Sequence, residues 1–236
     1  MNLFRLAGAA LALVLSTQAL AVGRMADVNV IDRSNGRRLP VHWHGGQAYV
    51  VGKPGSEYRI EVRNREGGDV LAVMSVDGVN VITGESAHPA QSGYVIAPRG
   101  RLAVDGWRKS LERTAAFYFT ALGDSYAART GRPEDVGVIG VALFRRKAQP
   151  PQPLGGIASE PRAAARDSAK AEESLGTGHG RSEVSHARHV AFERATIEPA
   201  ETIAIRYDSY RNLVALGVIR ETPRQPRPFP GFVPDA

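Results

Sequence analysis

The sequence predicts an all-β fold, an antiparallel β-sandwich of jelly-roll character with a disordered internal excursion. Three observations predict it. Short apolar or alternating runs follow one another from residue 25 to residue 107, with turn residues every ~8–12 positions. Nothing before residue 112 sustains a helical apolar period. Two longer apolar runs, Thr114–Leu122 and Val136–Phe144, are strand-length and end in glycine or charge, so they read as buried strands at the middle of the fold.

Taken in order, Val28–Asp32 alternates loosely and runs into the turn Ser34-Asn-Gly36. Val41–His44 alternates and stops at Gly45-Gly46; Ala48–Val51 is apolar and turns at Gly52-Lys-Pro-Gly55. Glu57–Arg63 alternates strictly, which places Tyr58, Ile60 and Val62 on the inner face of a strand whose other face is wet. Asp69–Val76 and Val79–Ile82 flank Asp77-Gly78, a hairpin signal, because a two-residue type I′ turn needs positive φ at both positions. Gly93–Pro98 and Arg101–Trp107 complete the first part of the sandwich, which spans 22–147. Between the two central strands, 123–133 reads as a polar loop bounded by turn residues.

Past residue 147 the composition changes. Pro150-Pro-Gln-Pro153 and the Ala-, Glu- and Arg-rich stretch after it cannot bury enough apolar surface to offset ordering entropy, so 148–175 reads as a flexible linker. In the segment 176–221, Ala200–Tyr207 and Leu213–Ile219 form a candidate hairpin around Asp208-Ser209, expected to dock on the sandwich because a lone hairpin is barely stable. The Pro-rich tail 222–236 reads as a polyproline-like arm.

The amino terminus predicts export. A basic start with Arg5, an apolar run Leu6–Leu15 and the small-residue site Ala19-Leu-Ala21 are the parts of a signal peptide spanning 1–21. The apolar run is too short for a permanent anchor, so no transmembrane segment is expected after cleavage, and a periplasmic or secreted location follows. The chain has no cysteine, which excludes disulfides, thiol chemistry and cysteine-based metal sites. Its formal charge is +6, or +5 once Arg5 leaves with the signal. Outside the cytoplasm that modest, dispersed excess suits an envelope protein or an anionic envelope polymer as partner, and not nucleic acid.

Three motifs carry candidate chemistry. Leu122-Gly-Asp-Ser-Tyr-Ala-Ala128 is similar to the nucleophile block of GDSL-type esterases and lipases. That family's Asp-x-x-His block occurs nowhere in the chain, and a serine without a placed histidine is a turn residue whose side chain bonds its own backbone. His42 and His44 share one face of a strand, as paired zinc ligands do, but a catalytic zinc site needs a third ligand. Leu175-Gly-Thr-Gly-His-Gly-Arg181 reads as a flexible Gly-rich loop in which Arg181 is placed to meet an anion. The polar sequence after it, Arg181–Arg194, holds two histidines and is a candidate cleft wall.

Several blocks together, namely Ser75–Val81, Gly93-Tyr-Val95 with Pro98, Gly106-Trp107, Gly123–Ala128, Val136–Ala142, Leu175–Arg181 and Tyr207–Ser209, resemble an uncharacterised family of exported bacterial proteins. The Gly-Thr-Gly-His-Gly block is the most distinctive part. The resemblance implies export and implies that the residues after the linker belong with those before it; it implies no activity.

The functional expectation is a non-catalytic envelope protein that binds a ligand or partner through sandwich loops, with Asp124, Ser125, Tyr126, His179 and Arg181 as the candidate binding residues. The alternatives are a His-dependent metal hydrolase, with zinc at His42 and His44, and a structural adaptor that uses its Pro-rich tail.

Overall fold

The computed structural model describes residues 22–148 and 175–221. The expected signal peptide, the body of the expected linker and the Pro-rich tail lie outside the described residues.

The fold is all-β, built from two sheets. The first contains β1 (Ala26–Asp32), β4 (Glu57–Asn64), β10 (Arg113–Ala121) and β12 (Leu175–Val184) in that spatial order, with β8 (Arg101–Val104) beside β4 and β9 (Gly106–Arg108) beside β10. The second runs β2 (Val41–His44), β3 (Gln47–Val51), β13 (Glu201–Asp208), β11 (Val138–Arg145), β5 (Val70–Val76), β6 (Val79–Asn80), with β7 (Tyr94–Ile96) also beside β5. Every pairing is antiparallel except β13 with β3. The two apolar runs that centre the sequence thus centre one sheet each, as β10 and β11.

One hydrophobic core lies between the sheets. It joins Val28, Tyr58, Ile60 and Phe117 of the first to Val50, Met74, Ile139 and Ile205 of the second. Tyr58, Ile60 and Val62 are fully buried, as the alternation of β4 requires. In β5 both faces are buried, so its pattern is a continuous apolar run. Val70, Ala72, Met74 and Val76 enter the main core. Leu71 and Val73 point the other way and form a second cluster with Ala142 and Phe144, against which Val95 and Phe192 pack.

That outer cluster is covered by an extended strap, residues 185–194, which crosses from β12 toward β13. Backbone bonds fasten the strap at both ends: Ser185 and Ala187 N–H donate to Glu112 and Leu111, and Lys147 N–H donates to Glu193. The Arg194 guanidinium lies over the Phe144 ring at 4.2 Å, and that of Arg146 over Phe192 at 4.5 Å. Both are cation–π contacts that cap apolar surface with charge.

Three expectations need correction. The hairpin at 200–219 does not form. β13 pairs with β11 and β3, and the chain then enters helix α2 (Tyr210–Ala215). Ser209 caps α2 by accepting the Asn212 N–H at 3.2 Å, and Gly217 ends the turn at φ +72°. A short apolar run does not by itself distinguish strand from helix, and here the cap decides. The polar loop 123–133 contains a further short helix, α1 (Tyr126–Arg129). The Gly-rich block is a strand, β12, paired with β10 over its length. Its glycines give room to neighbours: a Cβ at Gly176 would overlap the Ser125 side chain, and one at Gly178 would overlap the Tyr118 ring. Close backbone approach is a strand use of glycine that turn statistics do not reveal.

Candidate functional site

The sequence-nominated residues fall into three separate places. Ser125 is fully buried and caps α1, its hydroxyl oxygen accepting the Ala128 N–H at 3.1 Å. That is the turn role open to a serine with no histidine beside it, and a hydroxyl so enclosed attacks nothing. Asp124 lies exposed on the preceding 3-10 turn. Tyr126 packs in tilted ring contacts against His179 at 5.3 Å between centroids and against Trp107 at 5.1 Å. The 123–133 segment and β12 therefore do meet, as a packed contact. Burial lowers the pKa of His179 from its usual value, and the cations Lys109 and Arg129 push it the same way, so the imidazole is held neutral.

His179 and Arg181 do not act together. Ala115 pairs with Ser182 and Phe117 with His179, so two steps along β10 span three along β12. This β-bulge places Arg181 and Glu183 on the opposite face from His179. There Arg181 donates to both carboxylate oxygens of Glu57, at 2.7 and 2.9 Å, and also meets Glu183. Arg33 completes the cluster by reaching Glu57, Asp105 and Glu183. Arg181 is thus already paired with two carboxylates of its own chain.

His42 and His44 lie on one face of the edge strand β2, opposite Tyr49 and Gln47 of β3. Among the described residues, no group of three or more His, Cys, Asp or Glu converges on a common point.

Two further features involve none of the nominated site residues. The first is a buried polar chain through the core. Asp77, fully buried in the β5–β6 turn at φ +52°, accepts N–H bonds from Gly137 at 2.9 Å and Thr177 at 2.7 Å and the Tyr207 hydroxyl at 2.5 Å. Thr177 Oγ1 lies 2.7 Å from the Tyr207 hydroxyl and 2.6 Å from that of Tyr58. The one proton of Tyr207 goes to the carboxylate, so the remaining bonds run Tyr58 to Thr177 to Tyr207 to Asp77. Burial pushes Asp77 up to about 6 against the pull of these donors, and burial beside the carboxylate drives both tyrosines well above their usual value. The chain joins both sheets, and it is closed upon itself.

The second is a groove of about 740 Å³ along the flank of the sandwich. One wall is β7, through Tyr94 and Val95; another is β8, through Leu102 and Ala103; the strap contributes His186, Arg188 and Val190. Its charged lining is Arg108, Arg188 and Arg194 against the single acid Asp69, which is itself bridged to Arg146 at 3.0 Å. Arg108 holds the strap in place by donating to the carbonyl and hydroxyl of Ser185. Arg194 donates to the carbonyls of Pro89 and Gln91. Arg188 and His186 are exposed. The only sequence signal for this site was the polar, histidine-bearing stretch Arg181–Arg194.

Compared with family models, with curated proteins and with solved structures, the chain matches none.

Proposed function

We propose that the chain is an exported, non-catalytic envelope protein that works by binding, and that the flank groove is where its ligand or partner sits. The groove carries this reading. It is of ligand-binding size, and it sets apolar groups such as Val95, Leu102 and Val190 beside polar and cationic ones. It replaces the loop cluster as the binding site, because Ser125 and Arg181 are already engaged within the fold. Export is supported by the basic start, apolar run and small-residue site at residues 1–21, and among the described residues no helix is long and apolar enough to cross a membrane. A periplasmic or secreted location follows from that reading, with an envelope protein or anionic polymer as the natural partner.

The test is site-specific photocrosslinking in cells that express the full chain. A crosslinking residue at Val190, in the groove, should give a discrete adduct, and one at Lys53, on a distant exposed turn, should not. Equal labelling from both positions, or none from Val190, would refute the groove as the site.

The placement of His42 and His44 on one strand face keeps a metal-hydrolase reading open to one measurement. Stoichiometric transition metal in the purified protein, lost on changing both histidines, would favour it.

A further inference from the structure

We propose that the flank groove takes an extended acidic peptide, laid as an added strand between β7 and β8. This rests on the groove being the binding site and goes on to name the occupant. Among the described residues, β7 pairs only with β5 and β8 only with β4. Each is hydrogen-bonded along one edge, and both line the groove. An unpaired strand edge is a row of backbone donors and acceptors, and adding a strand is how such an edge recognises an extended chain. The two edges belong to different sheets, so the groove is the seam where the sandwich has not closed.

Side chains set the chemistry of the occupant. Val95, Leu102 and the half-exposed Val190 offer apolar surface along the seam, while exposed Arg188 faces it with positive charge, joined by Arg108 and Arg194, whose hydrogen bonds to carbonyls and hydroxyls leave their charge unneutralised. Successive side chains of an extended peptide point to opposite sides. A peptide that alternates acidic and apolar residues therefore presents carboxylates to the arginines and apolar groups to the wall. An anionic polysaccharide would satisfy the arginines but would neither fill the apolar wall nor match the strand edges. The peptide is the occupant that uses all three features.

The experiment is a fluorescence anisotropy titration of the full chain with a labelled octapeptide of alternating Glu and Val. Comparators are the same peptide N-methylated at alternate amides, its Lys-Val counterpart, and polygalacturonate as competitor. The expected result is saturable binding that weakens with salt and falls by about tenfold or more on N-methylation, on Glu-to-Lys exchange, and in the Arg188→Glu protein. Arg188 is exposed, so this variant should keep the wild-type melting midpoint. Binding that ignores N-methylation, or that polygalacturonate abolishes at matched charge, would overturn the peptide in favour of a polymer. No binding of any probe would overturn it too, and a Val190 adduct in cells would then still stand for the groove itself.

Discussion

The carboxylate of Asp77 accepts the backbone N–H of Thr177 at 2.7 Å, across one hundred residues of chain. Asp77 sits in the turn between two strands of one sheet, and Thr177 lies in a strand of the other. Through Tyr207 and Tyr58 the same bonds reach β13 and β4. The residues on either side of 149–174 are therefore joined by buried polar bonds as well as by apolar packing. Bonds of this kind cost most when one partner is removed, because the others stay buried and unpaired.

Removing the Tyr207 hydroxyl should destabilise more than removing that of Tyr58. Tyr207→Phe takes a donor from Asp77 and an acceptor from Thr177; Tyr58→Phe removes only the terminal donor. We expect losses of about 2–3 and about 1 kcal/mol, read from urea unfolding midpoints. Equal effects would show that the bonds do not run in one direction.

The Asp77 carboxyl makes stability depend on pH with a defined sign. Its folded value of about 6 lies above the reference 3.8, so as pH rises the unfolded chain releases this proton first. Its contribution therefore favours the fold at low pH and is lost between pH 3.8 and about 6, by about 3 kcal/mol for the roughly two-unit difference. Asp77→Asn has no such term. The stability of the wild type minus that of the variant should be smaller at neutral pH than near pH 4. His179 acts oppositely: its lowered value makes the fold lose stability as pH falls below the ordinary histidine range. That contribution is common to both proteins and cancels in the difference. A difference independent of pH would contradict the assignment to Asp77.

Gly176→Ala should destabilise by about 1–3 kcal/mol, because the new methyl meets Ser125 at the cap of α1 and Val136 before β11. Gly180 should be hurt in the same way, since a Cβ there approaches the Ala116 carbonyl. An added methyl at Gly67 or Gly68 meets nothing, and these serve as controls in thermal melts.

Arg181→Ala should leave groove binding unchanged, and the melting midpoint nearly so. The side chain is 64% exposed, and its ion pairs with Glu57 and Glu183 lie on the outer face of the first sheet. Loss of binding in this variant would restore the Gly-rich block as the site.

Much of the fold was legible because it rests on local period. Strict alternation gave the inner face of β4, and Asp77-Gly78 announced the β5–β6 turn. The same Asp77 shows what was not legible. Its turn role is local, while its partners Gly137, Thr177 and Tyr207 are chosen by tertiary packing. The glycines of β12 carried the composition of a loop, and only the neighbouring Ser125 and Tyr118 explain why a strand needs them. A bulge of one residue then separated His179 from Arg181, which had been nominated together as residues of one loop. The groove drew its walls from the neighbouring strands β7 and β8 of two different sheets and from the strap, which lies far along the chain from both, and only the strap left a trace.

The central claim is that the segments before and after residues 149–174 form one cooperative body, which holds the strap and so the groove. Native-state hydrogen exchange at the Thr177 amide tests it most directly. The account predicts that this amide exchanges only through global unfolding, at the same free energy as the amides of β11. Exchange of Thr177 through a cheaper opening, with β11 and β5 still protected, would make β12 an accessory and contradict the account.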